Sequence, residues 1–327
     1  MANKNLTIWT NAKLSDAATK ILRDGIGEHR LIQSGVLEKS ILAAGAHDPG
    51  LDMADVAFGQ PAPAQVIAAG NLRWVHLTTA GYDRYDTPAM RAAVAARDGR
   101  ITNSSSVFCE PVAQHGLAMI LAQSRQLPVA LANQMGAKAW PIGAIRAGSR
   151  LLAGQSVLIL GYGTIARRLI EMLRPFDMRI VASRRKPRGD ETGARIIATD
   201  AVEGELGMAD HVVNILPGGG ETAGYMNAGR FALMKRSAVF YNVGRGTTVD
   251  QKALESALRC GQIAAAWLDV TTPEPLPPGD PLWTAPNCFI TPHTAGGYDT
   301  EPVKLAEHFL ENLRRFTAGE ALVDRVI

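Results

Sequence analysis

Three polar side chains late in the chain have the types and settings needed to hold an anion and move a proton. Arg245 sits between two glycines in "NVGRGTTVD", directly after the apolar run "AVFYNV". Glu274 lies in "LDVTTPEPLP", past the run "AAAWLDV", and His293 lies in "FITPHTAGG", past another. Arginine holds a carboxylate in two bonds and polarises a neighbouring carbonyl. Histidine exchanges a proton near neutral pH, and a carboxylate beside it orients the ring and favours imidazolium. Reduction of a 2-oxo acid needs this set. A nicotinamide supplies hydride, His293 a proton to the developing alkoxide, and Arg245 holds the substrate carboxylate and carbonyl. Taken singly, each residue has a structural explanation: a surface turn, a solvated loop acid, a capping histidine. On successive strand ends behind a dinucleotide turn they point together to catalysis.

That turn is "LILGYGTIARRL". Gly161, Gly163 and Ala166 form G-x-G-x-x-A after the run "SVLIL" and at the head of a helical pattern. The first glycine permits the tight turn and the second lets backbone approach a pyrophosphate. Ala166 is small enough for close helix–strand packing, and the helix head with Thr164 and Ile165 supplies N–H groups and positive field. A lone motif of this kind is weak, but between a buried strand and a helix, with further strand–helix units behind it, it is much stronger. Leu216, Pro217 and Val243, at the ends of the later runs "HVVNIL" and "AVFYNV", are counted with the cofactor-binding residues.

Dinucleotide sites of this kind usually place an acid on the ribose hydroxyls about 20 residues on. Here Ser183 lies 22 positions after Gly161 and is followed by Arg184 and Arg185, in "MRIVASRRKPR". A carboxylate would repel a 2′-phosphate, whereas guanidinium groups bind it with charge-assisted, bidentate bonds. The expected cofactor is therefore NADP(H), with NAD(H) as the weaker alternative. The alternative for the arginines is a solvated surface cluster.

The elements that must position these residues follow from hydrophobic periodicity. "LTIWT", "ADVAFG" and "RWVHLTT" read as strands. "SDAATKILRDG" reads as a helix capped by Ser15 and stopped at Gly25, and "PAPAQVIAAG" as a helix opened by prolines. Residues 1 to about 102 thus form a small α/β unit with a parallel sheet. From Glu110 to about Gly136 runs a helical stretch that Pro128 divides or kinks, followed by an irregular loop, "AWPIGAIRAGSRLLAG". Then come "QSVLIL", "RIVAS", "RIIA", "HVVNIL", "AVFYNV" and "AAAWLDV", the strands of a doubly wound dinucleotide domain. The last 30 residues read as a long amphipathic helix and a tail.

Bulk properties fit a soluble globular protein of two domains, an enzyme or a binding protein. The chain has 327 residues, 46% hydrophobic and 20% charged, with 34 basic and 31 acidic side chains giving +3. That balance does not suggest a nucleic acid partner. "MANKNLTIWT" has no apolar leader core, no apolar run is long enough for a bilayer, and no metal site is expected. Cys109, Cys260 and Cys288 form no CxxC pair and suit a reducing compartment, so the default is cytoplasmic.

From about Val56 to Val326 the chain resembles the D-isomer-specific 2-hydroxyacid dehydrogenase family. The resemblance rests on "GYGTIARRLIEMLRPFDMRI", "VNILPGGGETAGYMNAGRFALMKRSAVFYNVGRGTTVD", "AAAWLDVTTPEPLP" and "PNCFITPHTAGG", in that order and spacing. It implies an Arg245–Glu274–His293 triad and a nicotinamide carboxamide contact at Asp269. It also implies that the "TTAGYD" loop, with Thr79, Ala80 and Gly81, offers backbone N–H groups to the substrate carboxylate. Two doubly wound domains follow: a flavodoxin-like substrate domain of residues 1–102 plus 294–327, and a Rossmann domain of residues 103–293, with a cleft between them. Hinges fall near Asn103 and Thr294, and homodimers pair around Trp140. The sequence departs from the family at Ala166, at the absent ribose acid, and at Gln114, where many members carry glutamate. His115, Tyr82, Tyr298 and Arg84 are read first as core, capping or surface residues, with a substrate border as the alternative.

The expected function is NADPH-dependent reduction of a small 2-oxo acid, glyoxylate or hydroxypyruvate, to the D-2-hydroxy acid. A dinucleotide-sensing interaction protein, like the C-terminal binding protein corepressors, is the alternative of another class. A phosphite dehydrogenase is the alternative on the same scaffold.

Overall fold

Four-residue runs such as Val56–Gly59 and His211–Asn214 are buried from end to end, which only inner strands of a sheet covered on both faces allow. In a computed structural model, which describes residues 5–36, 46–189 and 192–327, the chain divides into two compact units. One is Met1–Phe108 with Gly297–Ile327, and the other is Cys109–Gly296. The first four residues of the "MANKNLTIWT" reading lie outside the described residues.

In the first unit the order is β1 (Thr7–Thr10), α1 (Asp16–Gly25), β2 (Arg30–Gln33), α2 (Pro49–Asp52), β3 (Val56–Gly59), α3 (Pro63–Ala68), β4 (Trp74–Leu77), α4 (Pro88–Ala96) and β5 (Arg100–Thr102). The five strands are parallel in the order β2-β1-β3-β4-β5, the flavodoxin-like arrangement. Ser15 caps α1 as the sequence suggests, accepting from the Ala18 N–H at 3.3 Å. Four elements were not legible: β2 and β5, which are short and carry polar ends, α2, which is a single turn, and α4, whose alanine-rich face shows little stripe. Thr87 starts α4 by accepting from the Met90 N–H at 3.2 Å, with Pro88 in the first turn.

The second unit begins within α5 (Ser105–Ser124), followed by α6 (Leu127–Met135) and α7 (Ile142–Gly148). Gln126 takes a left-handed conformation and ends the first helix, so Pro128 falls in the first turn of α6, where its missing N–H costs nothing. The segment read as an irregular loop contains α7, which buries none of its residues and so carries no periodic signal. Next come β6 (Ser156–Leu160), α8 (Thr164–Leu173), β7 (Arg179–Arg184), β8 (Arg195–Ala198), α9 (Glu203–Leu206), β9 (His211–Asn214), α10 (Ala228–Leu233), β10 (Val239–Asn242), α11 (Gln251–Arg259), β11 (Ala265–Leu268) and β12 (Cys288–Ile290). They form a seven-stranded parallel sheet, β12-β11-β10-β9-β6-β7-β8. The direction of winding reverses between β6 and β9, so the carboxyl ends of those strands flank the natural ligand crevice.

The final helix, α12 (Glu301–Ala318), belongs to the first unit. Phe309 is its anchor, stacked on Trp74 at 5.2 Å and on Phe58 at 4.4 Å between ring centroids. Burying that ring stabilises the docked helix by about 2–3 kcal/mol.

Candidate active site

Gly161 leaves β6 with φ 107°, a conformation that side chains with a Cβ avoid. Gly163 then precedes α8, and among the described residues no side chain caps that helix. A Cβ placed on Gly163 would meet no atom within 4 Å, so the space over the helix head is open. Ala166 is buried behind it. A tight turn, open space and unused N–H groups at the head of a ten-residue helix fit a bound pyrophosphate. Thr164 and Ile165 stand in that first turn, while Leu216, Pro217 and Val243 follow β9 and β10 on the other side of the reversal.

The basic segment leaves the end of β7. Ser183 is buried, and its hydroxyl accepts the Gly161 N–H at 3.3 Å, so it braces the turn directly. The Arg184 guanidinium lies 5.9 Å from the Tyr162 ring centroid. Arg185 pairs with Glu221 at 2.8 Å, both exposed, an ion pair that contributes little and exchanges readily.

Arg245 is held by a network that sequence reading missed. Asn214 and Asn242 end two adjacent strands in register and are both buried. Asn214 donates to the Asn242 Oδ1 at 3.0 Å and to the Thr248 Oγ1 at 2.6 Å. The Arg245 carbonyl accepts from the Asn242 amide at 3.1 Å and the Thr248 hydroxyl at 2.6 Å. Buried amides so fully paired fix one backbone geometry. The glycines flanking Arg245 are steric requirements: a Cβ on Gly244 would meet the Leu216 carbonyl at 2.7 Å, and one on Gly246 would overlap the Thr271 carbonyl. The Arg245 loop therefore lies backbone against backbone on the segment leading to Glu274. The available signal was an asparagine closing each of two apolar runs.

Glu274 and His293 meet: Nδ1 of the ring lies 2.7 Å from Oε2 of the carboxylate. Oε1 accepts the Thr271 N–H at 3.0 Å. Burial pushes the Glu274 carboxyl up, but the His293 and Thr271 hydrogen bonds and the Arg245 charge outweigh it and hold it below its ordinary value. Glu274 is thus an ionised acceptor that fixes the Nδ1–H tautomer and leaves Nε2 for proton exchange. His293 itself has φ 53°, the left-handed region, an uncommon conformation of the kind that clusters at functional sites.

Asp269, which follows β11, is buried, and both its oxygens serve the His293 loop. Oδ1 accepts from the Thr291 hydroxyl at 2.6 Å and the Thr294 N–H at 2.9 Å, and Oδ2 from the Ala295 N–H at 3.0 Å. Gln114, without a reading from sequence, donates to Glu110 at 2.7 Å, and Glu110 in turn accepts from Arg168 of α8 at 2.6 Å. A glutamate there could not make that donor bond when ionised.

In the first unit, the loop Thr79–Gly81 follows β4. Its carbonyls are all engaged: Thr79 accepts the Ser104 N–H at 3.0 Å, Ala80 the Asn103 amide at 2.6 Å and Gly81 the Thr79 hydroxyl at 2.7 Å. Among the described residues, the N–H groups of these three make no hydrogen bond. Gln60, buried and unread from sequence, steadies the loop by donating to the hydroxyls of Thr78 at 3.1 Å and Thr79 at 3.0 Å. A loop with occupied carbonyls and open N–H groups is an anion-binding surface.

The family described as D-isomer specific 2-hydroxyacid dehydrogenase, NAD binding domain, matches residues 117–295. The glyoxylate/hydroxypyruvate reductase B of Escherichia fergusonii is 37% identical over 248 residues, covering 74% of this chain and 74% of that protein. The mouse glyoxylate reductase/hydroxypyruvate reductase is 32% identical over 266 residues, covering 78% and 77%. A D-isomer specific 2-hydroxyacid dehydrogenase from Xanthobacter autotrophicus Py2, solved with NADPH and MES, superposes with TM-score 0.82 at 27% identity, covering 99% of this chain and 98% of that one.

Proposed function

The chain belongs to the D-isomer-specific 2-hydroxyacid dehydrogenase family, and from that premise we propose that it reduces a small 2-oxo acid, of the glyoxylate or hydroxypyruvate type, to the D-2-hydroxy acid with NADPH. The observation that carries the reading is the 2.7 Å pair of His293 and the ionised Glu274, with the Arg245 loop packed on the segment that leads to Glu274.

NADPH, when bound, supplies a hydride to the carbonyl carbon. The open helix head at Gly163 holds its pyrophosphate, and Arg184 and Arg185 at the end of β7 take its 2′-phosphate. Arg245 binds the substrate carboxylate and polarises the carbonyl. The open N–H groups of Thr79, Ala80 and Gly81 are a second anion-binding element, and the substrate carboxylate is the anion proposed for them. His293 Nε2 delivers the proton to the carbonyl oxygen, and Glu274 stabilises the ring while it is charged. Hydride and proton together convert the carbonyl to the alcohol. The relatives named as glyoxylate and hydroxypyruvate reductases support this substrate class. The product tests it: hydroxypyruvate with NADPH should give D-glycerate on chiral chromatography, and L-glycerate or a racemate would contradict the assignment.

The proposal includes a homodimer. Helix α6 buries none of its residues, and Leu127, Leu131, Met135, Trp140 and Ile142 all expose apolar surface, Trp140 to 89%. So many large apolar side chains exposed along one segment mark an interface. Trp140→Glu is expected to convert a dimer to a monomer in light scattering, and a wild-type monomer at micromolar concentration would refute the pairing.

No helix among the described residues is long and apolar enough to cross a membrane. An exposed thiol at Cys260 suits a reducing compartment, so the cytoplasm is the location proposed.

A further inference from the structure

His115 lies on α5, 176 residues before Thr291 in sequence, yet its Nε2 is 3.1 Å from the Thr291 hydroxyl. That hydroxyl is 2.6 Å from the Asp269 Oδ1, which also accepts the Thr294 N–H, while Oδ2 accepts the Ala295 N–H. The donors can be counted. Each oxygen of Asp269 already accepts a backbone N–H group. Thr291 has a single hydroxyl proton, and the carboxylate takes it. The hydroxyl can therefore only accept from His115, so Nε2 of His115 must carry a proton. The same ring nitrogen is 3.7 Å from Asp269. His293 sits between the two anchored ends of this loop, its own N–H bonded to the Asp269 carbonyl at 2.8 Å.

We propose that His115 is a positioning residue for the reaction: its Nε2–H, relayed through Thr291 and Asp269, sets the pose of the loop that carries His293. It touches no reacting atom. The inference rests on the function proposed above for its kinetic consequence, but not for its structural one. Hydrogen-bonded partners behind a catalytic side chain are worth activity because small misplacements are costly in rate.

The experiment combines two readouts on His115→Leu, Thr291→Val, the double variant and His115→Gln, whose amide keeps a donor near the position of Nε2. Amide hydrogen exchange of Thr294 and Ala295 needs no substrate. It should speed up about five-fold or more in both single variants, rise little further in the double variant, and return toward wild type in His115→Gln. Steady-state rates should show kcat down about ten-fold in each single variant with KM nearly unchanged. The double variant should be no worse than either alone, because the two residues act in one chain. Exchange unchanged in His115→Leu overturns the proposal, as do kcat losses that multiply in the double variant. So does a lowered Tm in His115→Leu with kcat preserved. Wild-type protein that turns over no 2-oxo acid would sink the function proposed above, and the exchange result would still decide this inference. If His115→Leu does not fold, Thr291→Val, which is nearly isosteric, carries the same comparison.

Discussion

His293→Ala is expected to lower kcat by about 10³-fold, equivalent to about 4 kcal/mol of transition-state stabilisation, with a much smaller change in NADPH affinity. The size follows from the proton. Without the ring, the developing alkoxide must take its proton from water, and positioned proton transfer contributes about 10²–10⁴-fold. The fold should tolerate the change, because the loop is held from either side of His293 by Asp269, through Thr291, Thr294 and Ala295. Glu274→Gln should be milder, about 10- to 100-fold, since an amide still braces Nδ1 but no longer balances the imidazolium charge. The Glu274 carboxyl is held below its ordinary value in the folded chain. Its stabilising contribution is therefore complete above that value and fades as pH falls through the lowered one, so the pair stays intact across the neutral range. Rates for the two variants with hydroxypyruvate and with glyoxylate check this. A kcat for His293→Ala within ten-fold of wild type would remove the residue from the proton-transfer role.

Arg184→Ala should weaken NADPH binding about 10- to 100-fold and leave NADH binding within about two-fold. One charge-assisted contact to a dianionic phosphate accounts for that range, and NADH has no phosphate at that place. Arg185→Ala should act in the same direction but less strongly, because its guanidinium must first leave Glu221. Ser183→Asp should do more: a carboxylate beside the 2′-phosphate repels it, so the preference should swing toward NADH. The buried setting of Ser183 and its bond to Gly161 mean that this variant also costs stability. Fluorescence titration with both nucleotides reads these effects. Equal losses for NADPH and NADH in Arg184→Ala would place the arginine in general structure and not in phosphate recognition.

The pattern of legibility has a physical origin. Buried parallel strands such as β6, β9 and β10 are near-continuous apolar runs and stand out from any surroundings. The glycine turn is visible because φ 107° at Gly161 nearly demands glycine. Arg245 was conspicuous for a related reason, since the backbone of Leu216 and Thr271 admits no side chain at Gly244 or Gly246. What stayed hidden depends on contacts between distant segments. Asn214 and Asn242 read as ordinary strand ends until their register is known. Gln60 gains its meaning only beside Thr78 and Thr79. His115 looked like a lone histidine in an apolar helix, because its partner lies 176 residues away. Helix α7 was missed for the opposite reason: it buries nothing, so no stripe marks it.

The most direct measurement is kcat/KM of the wild-type protein for NADPH and for NADH, each with saturating hydroxypyruvate and then glyoxylate. The account predicts turnover of at least one of the two acids, with NADPH preferred by about ten-fold or more. Equal kcat/KM for the two nucleotides would contradict the reading of Ser183, Arg184 and Arg185. Absence of turnover on either acid, with NADPH bound, would contradict the reaction assigned to Arg245, Glu274 and His293.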